Sequence, residues 1–249
     1  MDIWKTMQSD DGIKELEQQF MDLDTTFKFK CRQCGKCCKN QNTILFSPWD
    51  IFKIAKKIGK SPFSVIRDYT DVYIGPQSRI PVVHLLMQGK KNACPFLTEE
   101  GRCSIHDAKP TVCALYPLGR VVTSETPDHA LDSGGENIVH YIMSGQCGSA
   151  KKTHTVREWL ASFGIPEHDE FFYLWTGMQL KLSLLIREME SKGISGKALQ
   201  PVWNVIFTGL YIAYNTEEEF IPQFERNTAK LLADLSALQK ELEALLGTK

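Results

Sequence analysis

Residues 31–38 read CRQCGKCC and hold four of the chain's eight cysteines. The C-x2-C steps let neighbouring thiolates turn toward one metal ion, and Gly35 can adopt the positive φ that such a turn needs. Basic side chains around the cysteines would offset the charge of a thiolate site and lower the thiol pKa values. These basic residues are Lys28, Lys30, Arg32, Lys36 and Lys39. The stretch therefore predicts metal or cluster ligands or redox thiols, and the turn-rich segment 93–118 is expected to be held together by ligands more than by a core.

The other four cysteines are Cys94, Cys103, Cys113 and Cys147, and none follows Cys147. Their spacing is not diagnostic, so only the fold can bring them together. Eight thiolates allow two four-coordinate sites, or one site with further thiols beside it. Two alternatives are buried core cysteines and a disulfide framework. The charges around the first cluster disfavour a core role, and the lack of an apparent export signal disfavours disulfides.

The spacing of the cysteines does not decide between zinc and an iron–sulfur cluster. Zinc sites commonly combine two C-x2-C knuckles, and here only one end of the set has that spacing. Residues 31–37 match the C-x2-C-x2-C start of bacterial ferredoxin sequences, although the only Cys-Pro step lies far away, at 94–95. The pattern favours an iron–sulfur cluster, with [4Fe–4S] preferred, and leaves zinc open.

Five short motifs together resemble a known family. They are CRQCGKCC, CPFL at 94–97, GRCSIH at 101–106, KPTVCALYP at 109–117 and GQCG at 145–148. This combination resembles the CxxCxxCC (YkgJ-type) family of zinc- or iron-chelating domains, over roughly residues 28–150. The resemblance implies that every cysteine is a metal ligand: Cys31, Cys34, Cys37, Cys38, Cys94, Cys103, Cys113 and Cys147. Part of it is also similar to flagellin lysine N-methylase, which implies methyl-transfer or redox chemistry at an iron–sulfur cluster.

The histidines are weaker candidates for ligands. His106 stands where the family often has an aromatic residue, so a surface or packing role is favoured over a ligand role. His84, His140 and His154 are isolated, which favours core or surface positions. No G-x-S-x-G, HExxH or P-loop motif occurs, and no glycine-rich loop suggests S-adenosylmethionine binding. The sequence therefore identifies no catalytic residue and leaves enzymatic activity undecided.

The composition of the chain bears on its partners and its cellular location. The 249 residues carry a net charge of −1, which argues against a nucleic-acid partner. No stretch of 18 apolar residues occurs, so a membrane partner is not expected. The charged N-terminal segment lacks an apolar signal core, which predicts a cytoplasmic protein. The remaining expectation is an unidentified protein partner or substrate.

The predicted fold is mainly α with a small antiparallel β element. A Cys-rich, metal-stapled loop region with an N-terminal helix occupies residues 1–150, and a helical region occupies 151–249. The two regions are expected to share one core. In this arrangement the metal centre is structural or redox-active. Two alternatives are a cluster-assisted methyl- or electron-transfer enzyme and a zinc-folded interaction module that binds a partner through its C-terminal helix.

Local signals predict individual elements. Helix starts are expected at Ser47-Pro48, at Ser61-Pro62 and at the Thr155/Glu158 capping box, and Gly59 is expected to end the first of these helices. The remaining predictions are a helical lead-in over 1–27, an extended segment at 80–87, strands at 119–123 and 138–143 around a flexible loop, and helices at 171–190, 203–214 and 223–246. The last helix is expected to pack on the core rather than to form a coiled-coil seam.

Overall fold

A computed structural model describes residues 10–32, 34–124, 137–145 and 147–247 of the chain. Helical residues outnumber strand residues in this part, and the sheets are small and antiparallel. This confirms the mainly α class with a small β element. The first nine residues of the predicted N-terminal helix and the loop at 125–136, predicted to be flexible, lie outside the described residues.

The helices and strands are numbered here in chain order. The α-helices are α1 (Asp10–Glu17), α2 (Pro48–Ile58), α3 (Pro62–Tyr69), α4 (Thr111–Leu115), α5 (Val156–Ala161), α6 (Glu170–Ser191), α7 (Gln200–Phe207) and α8 (Phe220–Gly247). The strands are β1 (Thr26–Lys30), β2 (Leu45–Phe46), β3 (Thr70–Ile74), β4 (Pro81–Leu85), β5 (Leu118–Ser124), β6 (Asn137–Met143) and β7 (Ser149–Thr155). They form the antiparallel sheets β1–β7, β5–β6 and β2–β4–β3. Three-residue 3₁₀ turns occur at Lys36–Cys38 and His106–Ala108.

The chain forms two compact units, and each is assembled from segments that are separated in sequence. Unit 1 consists of Met1–Cys37, Glu99–Arg102 and Val112–Asp169, and unit 2 consists of Cys38–Thr98, Cys103–Thr111 and Glu170–Lys249. The separation of residues 1–150 from 151–249 as folding regions stays a prediction. Among the described residues, no helix has both the length and the apolar character needed to cross a membrane.

Unit 1 is built on two strand pairs, β1–β7 and β5–β6. Phe27 and Phe29 of β1 are buried, whereas Thr26, Lys28 and Lys30 between and beside them are exposed. This two-residue period is that of a strand with one buried face. The expected helix over 1–27 is therefore wrong beyond Glu17, and neither β1 nor β7 was predicted.

Unit 2 combines the three-stranded sheet with α2, α3, α6, α7 and α8. Strand β4 buries Val83 and Leu85, which confirms the extended segment predicted at 80–87. From α8, Phe224, Leu231 and Leu235 are almost completely buried. These buried side chains confirm that the C-terminal helix packs on a core.

The predicted helix starts are confirmed. Ser47 caps α2 in a capping box with Asp50, and Gly59 ends that helix with a φ of 65°. Ser61 caps α3, and Thr155 forms the second capping box with Glu158 at α5. The helix predicted at 203–214 begins three residues earlier, at Gln200, and its final part, Thr208–Ile212, is π-helical.

Candidate metal centre

All eight cysteines are thiols in the structure. Unit 1 contains Cys31, Cys34, Cys37, Cys113 and Cys147, and unit 2 contains Cys38, Cys94 and Cys103. Within the described part of the chain, no three or more Cys, His, Asp or Glu side chains are arranged as a complete metal-ligand group.

One thiol pair in unit 1 brings together Cys34 of the first cluster and Cys147, the last cysteine of the chain. The Sγ atoms of Cys34 and Cys147 lie 3.9 Å apart. Two thiolates on one tetrahedral zinc ion, each about 2.3 Å from it, lie about 3.8 Å from one another. The strand pairing explains this approach, because Lys30 at the end of β1 faces Ser149 at the start of β7. The chain leaving β1 and the chain entering β7 therefore meet at the same edge.

The two thiols of this pair differ in acidity. The backbone N–H of Lys36 and the thiol of Cys147 lower the pKa of Cys34 by stabilising its thiolate. Burial raises the pKa of Cys147, and the negative charge of Cys34 raises it further. The backbone between Cys34 and Lys36 turns at Gly35, whose φ is 66°, as the sequence predicts. Cys34 is thus the more easily ionised partner, and a metal ion would have to displace the proton of Cys147.

Tyr116, which directly follows α4, connects further thiols to this pair. Its hydroxyl accepts a hydrogen bond from the backbone N–H of Cys147, 2.9 Å away. Burial raises the pKa of Tyr116, and the negative charges of Cys147, Cys37 and Cys31 raise it further. The thiols of Cys31, Cys37 and Cys147 therefore lie near this hydroxyl, and Cys34 lies beside Cys147.

The two glycines that flank residue 147 permit this close approach. A Cβ atom at Gly145 would lie 2.4 Å from the Tyr116 ring, and one at Gly148 would lie 2.4 Å from the Phe29 ring. Gly148 also has a φ of 104°, a backbone conformation that residues other than glycine rarely adopt. The GQCG motif thus has a steric role: it brings the backbone of Cys147 against the aromatic side chains of unit 1.

The cysteines of unit 2 are brought together by backbone hydrogen bonds. The N–H of Cys94 donates to the carbonyl of Cys38 at 2.8 Å. The N–H of Leu97 donates to the carbonyl of Cys94 at 3.0 Å, and Leu97 forms a β-bridge with Cys103. In unit 2, the CPFL motif and the segment that begins at Cys103 therefore form one turn-rich assembly with residue 38.

Asp50 is a buried carboxylate that the sequence analysis passed over. It accepts hydrogen bonds from the N–H and hydroxyl of Thr111, at 2.8 and 2.7 Å, and from the N–H and hydroxyl of Ser47, at 3.0 and 2.8 Å. It therefore connects the start of α2 to the segment that carries Cys103. The spacing Ser47-x-x-Asp50 was the available signal, because it is a capping-box pattern.

His154 and His140 of unit 1 hydrogen-bond to groups other than the Cys34–Cys147 pair. The Nε2 of His154 is 3.0 Å from the carbonyl oxygen of Phe29, and the Nε2 of His140 is 2.9 Å from the hydroxyl of Thr123. The ring of His140 also stacks on Phe20. Burial lowers the pKa of His106, and the charge of Lys109 adds to this effect.

Several thiols lie on short turns, and two of them are at the separation of thiolates that share one metal ion. Residues 30–133 match the CxxCxxCC family, described as "Putative zinc- or iron-chelating domain". The matched segment contains seven of the cysteines and ends before Cys147. No curated protein and no solved structure matches the chain.

Proposed function

We propose that this chain is a metal-binding protein in which the thiolates of Cys31, Cys34, Cys37 and Cys147 hold one metal centre in unit 1. The observation that carries the proposal is the 3.9 Å separation of the Cys34 and Cys147 sulfurs. The common influence of Cys31, Cys37 and Cys147 on Tyr116 supports the inclusion of the other two thiols. Cys31 and Cys37 would complete the ligand set when the metal binds, since metal binding and local folding are coupled.

The separation of the sulfurs favours a single ion over a cubane cluster. Two thiolates bound to one tetrahedral ion lie as close as Cys34 and Cys147 do. In a [4Fe–4S] cluster with four cysteine ligands, each thiolate binds a different iron, so the sulfurs lie farther apart. Zinc is therefore our first candidate. An iron–sulfur cluster is the second, because the C-x2-C-x2-C spacing at 31–37 is typical of cluster ligands.

The proposed centre has a structural role. Four thiolates fill a tetrahedral coordination sphere, so no position is left for a substrate. The ion would fasten the turn after β1 to the entry of β7, which share one edge of the sheet. We further propose a cytoplasmic location, because thiol ligands persist where stable disulfides are rare.

The test is the metal content of anaerobically purified protein. Zinc, iron and acid-labile sulfide are measured per chain for the wild type, Cys34→Ser, Cys147→Ser and Cys113→Ser. We expect a zinc-containing, sulfide-free protein that loses one equivalent in the first two variants. Cys113→Ser is the matched control, since Cys113 also lies in unit 1 but outside the proposed set.

Three other results of the metal analysis would change or overturn the proposal. Iron and sulfide in similar amounts would replace the zinc assignment with the cluster. An equal loss of metal in Cys113→Ser would overturn the four-thiol set. A wild-type protein without bound metal would overturn the proposal as a whole.

A further inference from the structure

Four exposed lysines lie together at one end of the strand pair β1–β7 in unit 1. They are Lys28 and Lys30 of β1 and Lys151 and Lys152 of β7. The strand register brings them together, because Lys28 faces Thr153 and Lys30 faces Ser149. Residues 150–152 therefore lie opposite Phe29 alone, as a bulge that presents two of the lysines beside the other two. We call this end of the strand pair the basic ribbon.

The ammonium groups of the basic ribbon form no ion pair within the described part of the chain. Two arginines of unit 1 differ in this respect. Arg120 pairs with Asp169 at 2.7 Å, and Arg157 pairs with Asp24 at 3.0 Å and also with Glu167. Like charges on neighbouring strands repel one another, so the positive charge of the ribbon is not balanced by the described residues. An anionic partner would relieve that repulsion.

The outer edge of β1 offers backbone hydrogen-bonding groups next to these lysines. The N–H of Val156 donates to the carbonyl of Thr25 at 3.1 Å. Backbone groups of an antiparallel strand point alternately to its two sides, so those of Phe27, two residues further on, also face β7. Those of Thr26 and Lys28 face away from β7. Among the described strands, β7 is the only one paired with β1. An extended peptide can therefore add to this edge through main-chain hydrogen bonds.

The side chains beside this edge select the partner. Lysines on an edge strand repel a second copy of that strand and disfavour an apolar one. They attract acidic side chains, and the two-residue spacing of Lys28 and Lys30 equals the side-chain period of an extended chain. Phe27 and Phe29 are buried, so β1 offers no exposed aromatic ring for base stacking, and the net charge of the chain is −1. Both observations disfavour a nucleic acid. We propose that the outer edge of β1 binds an extended acidic segment of a partner protein, whose carboxylates face the basic ribbon.

The test uses the full chain as purified, because the proposal does not rest on the identity of the metal. The probe is a capped peptide of alternating glutamate and threonine residues, titrated while the amide NMR resonances of residues 26–30 and 149–155 are followed. A peptide with glutamine in place of glutamate controls for charge, and a glutamate–threonine peptide with N-methylated amides controls for strand pairing. We expect each control to bind at least about tenfold more weakly than the probe. Raising the NaCl concentration from about 50 to about 500 mM should weaken binding of the probe by a similar factor.

Double variants test the assignment to the basic ribbon. Lys28→Glu/Lys151→Glu should weaken binding of the acidic probe by at least about tenfold, because two attractive charges become repulsive. Lys181→Glu/Lys197→Glu makes the same change of net charge at exposed positions of unit 2 and should leave binding unchanged. Far-UV circular dichroism and metal analysis check that both variants are intact. If the first is not, Lys28→Gln/Lys151→Gln takes its place, with an expected loss of about threefold.

Four results would count against the proposal. Wild-type affinity in an intact ribbon variant would overturn it, as would equal binding of the glutamate and glutamine peptides, or no resonance shift with either. Equal binding of the N-methylated peptide would overturn the pairing with the edge of β1. Tighter binding of a thymidine oligonucleotide than of the acidic peptide would assign the basic ribbon to a nucleic acid instead.

Discussion

Replacing Asp50 with alanine should remove far more stability than its position in a helix cap alone would suggest. The carboxylate side chain is 3% exposed and lies 3.2 Å from the ammonium group of Lys53. It also accepts two hydrogen bonds from Ser47 and two from Thr111. Removing one partner of a buried, hydrogen-bonded ion pair costs about 3–5 kcal/mol. We expect Asp50→Ala to lower the free energy of unfolding by about this amount.

Glu158→Ala is the matched control. Glu158 occupies the same capping-box position in α5, where its carboxylate accepts from the N–H of Thr155 at 3.0 Å. Unlike Asp50, Glu158 is exposed to solvent. Loss of an exposed capping interaction costs about 1 kcal/mol. The difference between the two variants therefore measures the burial of Asp50 and its bonds to Thr111.

The assay is urea unfolding followed by far-UV circular dichroism, with hydrogen exchange of α2 and α5 amides as a local measurement in each unit. A double-mutant cycle with Thr111→Val removes the hydroxyl bond and leaves the backbone N–H bond. We expect a coupling of about 1 kcal/mol between the two positions, because a hydrogen bond to a charged group is lost. If Asp50→Ala destabilises the protein no more than Glu158→Ala does, the buried carboxylate does not hold the Thr111 segment and the reasoning fails.

Three further predictions concern the thiol site and the surface. Gly145→Ala should lower both the metal content and the stability, because the new Cβ atom would lie 2.4 Å from the Tyr116 ring. Metal analysis and thermal unfolding measure the two effects. Wild-type values of both would contradict the steric argument. Diamide, which takes up two electrons and two protons, should oxidise the metal-free protein and form a disulfide between Cys34 and Cys147. Their sulfurs are 3.9 Å apart, so a small movement brings them to the disulfide bond length of about 2.05 Å. Peptide mass spectrometry identifies the pairing, and a different predominant disulfide would count against it. The pKa of Asp68 is lowered to about 2 by its arginine and lysine neighbours, so the stability it contributes is present above about pH 4 and is lost as the pH falls toward 2. A carboxyl NMR titration with a midpoint near 3.8, the ordinary value, would refute this prediction.

Helix ends and a general metal-binding character were predictable from the sequence. Ser47 and Gly59 delimit α2 through bonds within one or two turns of the helix, so the necessary information lies in adjacent residues. The thiol clustering at 31–38 likewise indicates metal chemistry without any knowledge of the fold. The matched family supports this general conclusion for residues 30–133.

Long-range pairing depended on tertiary structure. Nothing near Cys34 in the sequence indicates that Cys147 lies beside it; that follows from the register of β1 against β7, which was not predicted. The alternation of Phe27 and Phe29 is a strand signal only two apolar residues long, too short to compete with a helical pattern preceding it. The burial of these two rings becomes evident only in the folded protein, where Tyr141 of β6 and Val156 and Leu160 of α5 belong to the same core.

The sequence by itself determined where helices begin and end, and that thiols are the dominant candidate ligands, because these properties depend on side-chain chemistry and on neighbours a few residues away. Only the tertiary structure decided that Cys34 lies beside Cys147 and that Asp50 accepts hydrogen bonds from Thr111. Each of these contacts joins residues far apart in the chain. Such contacts form only where packing and strand register repay the entropy of closing the intervening loop.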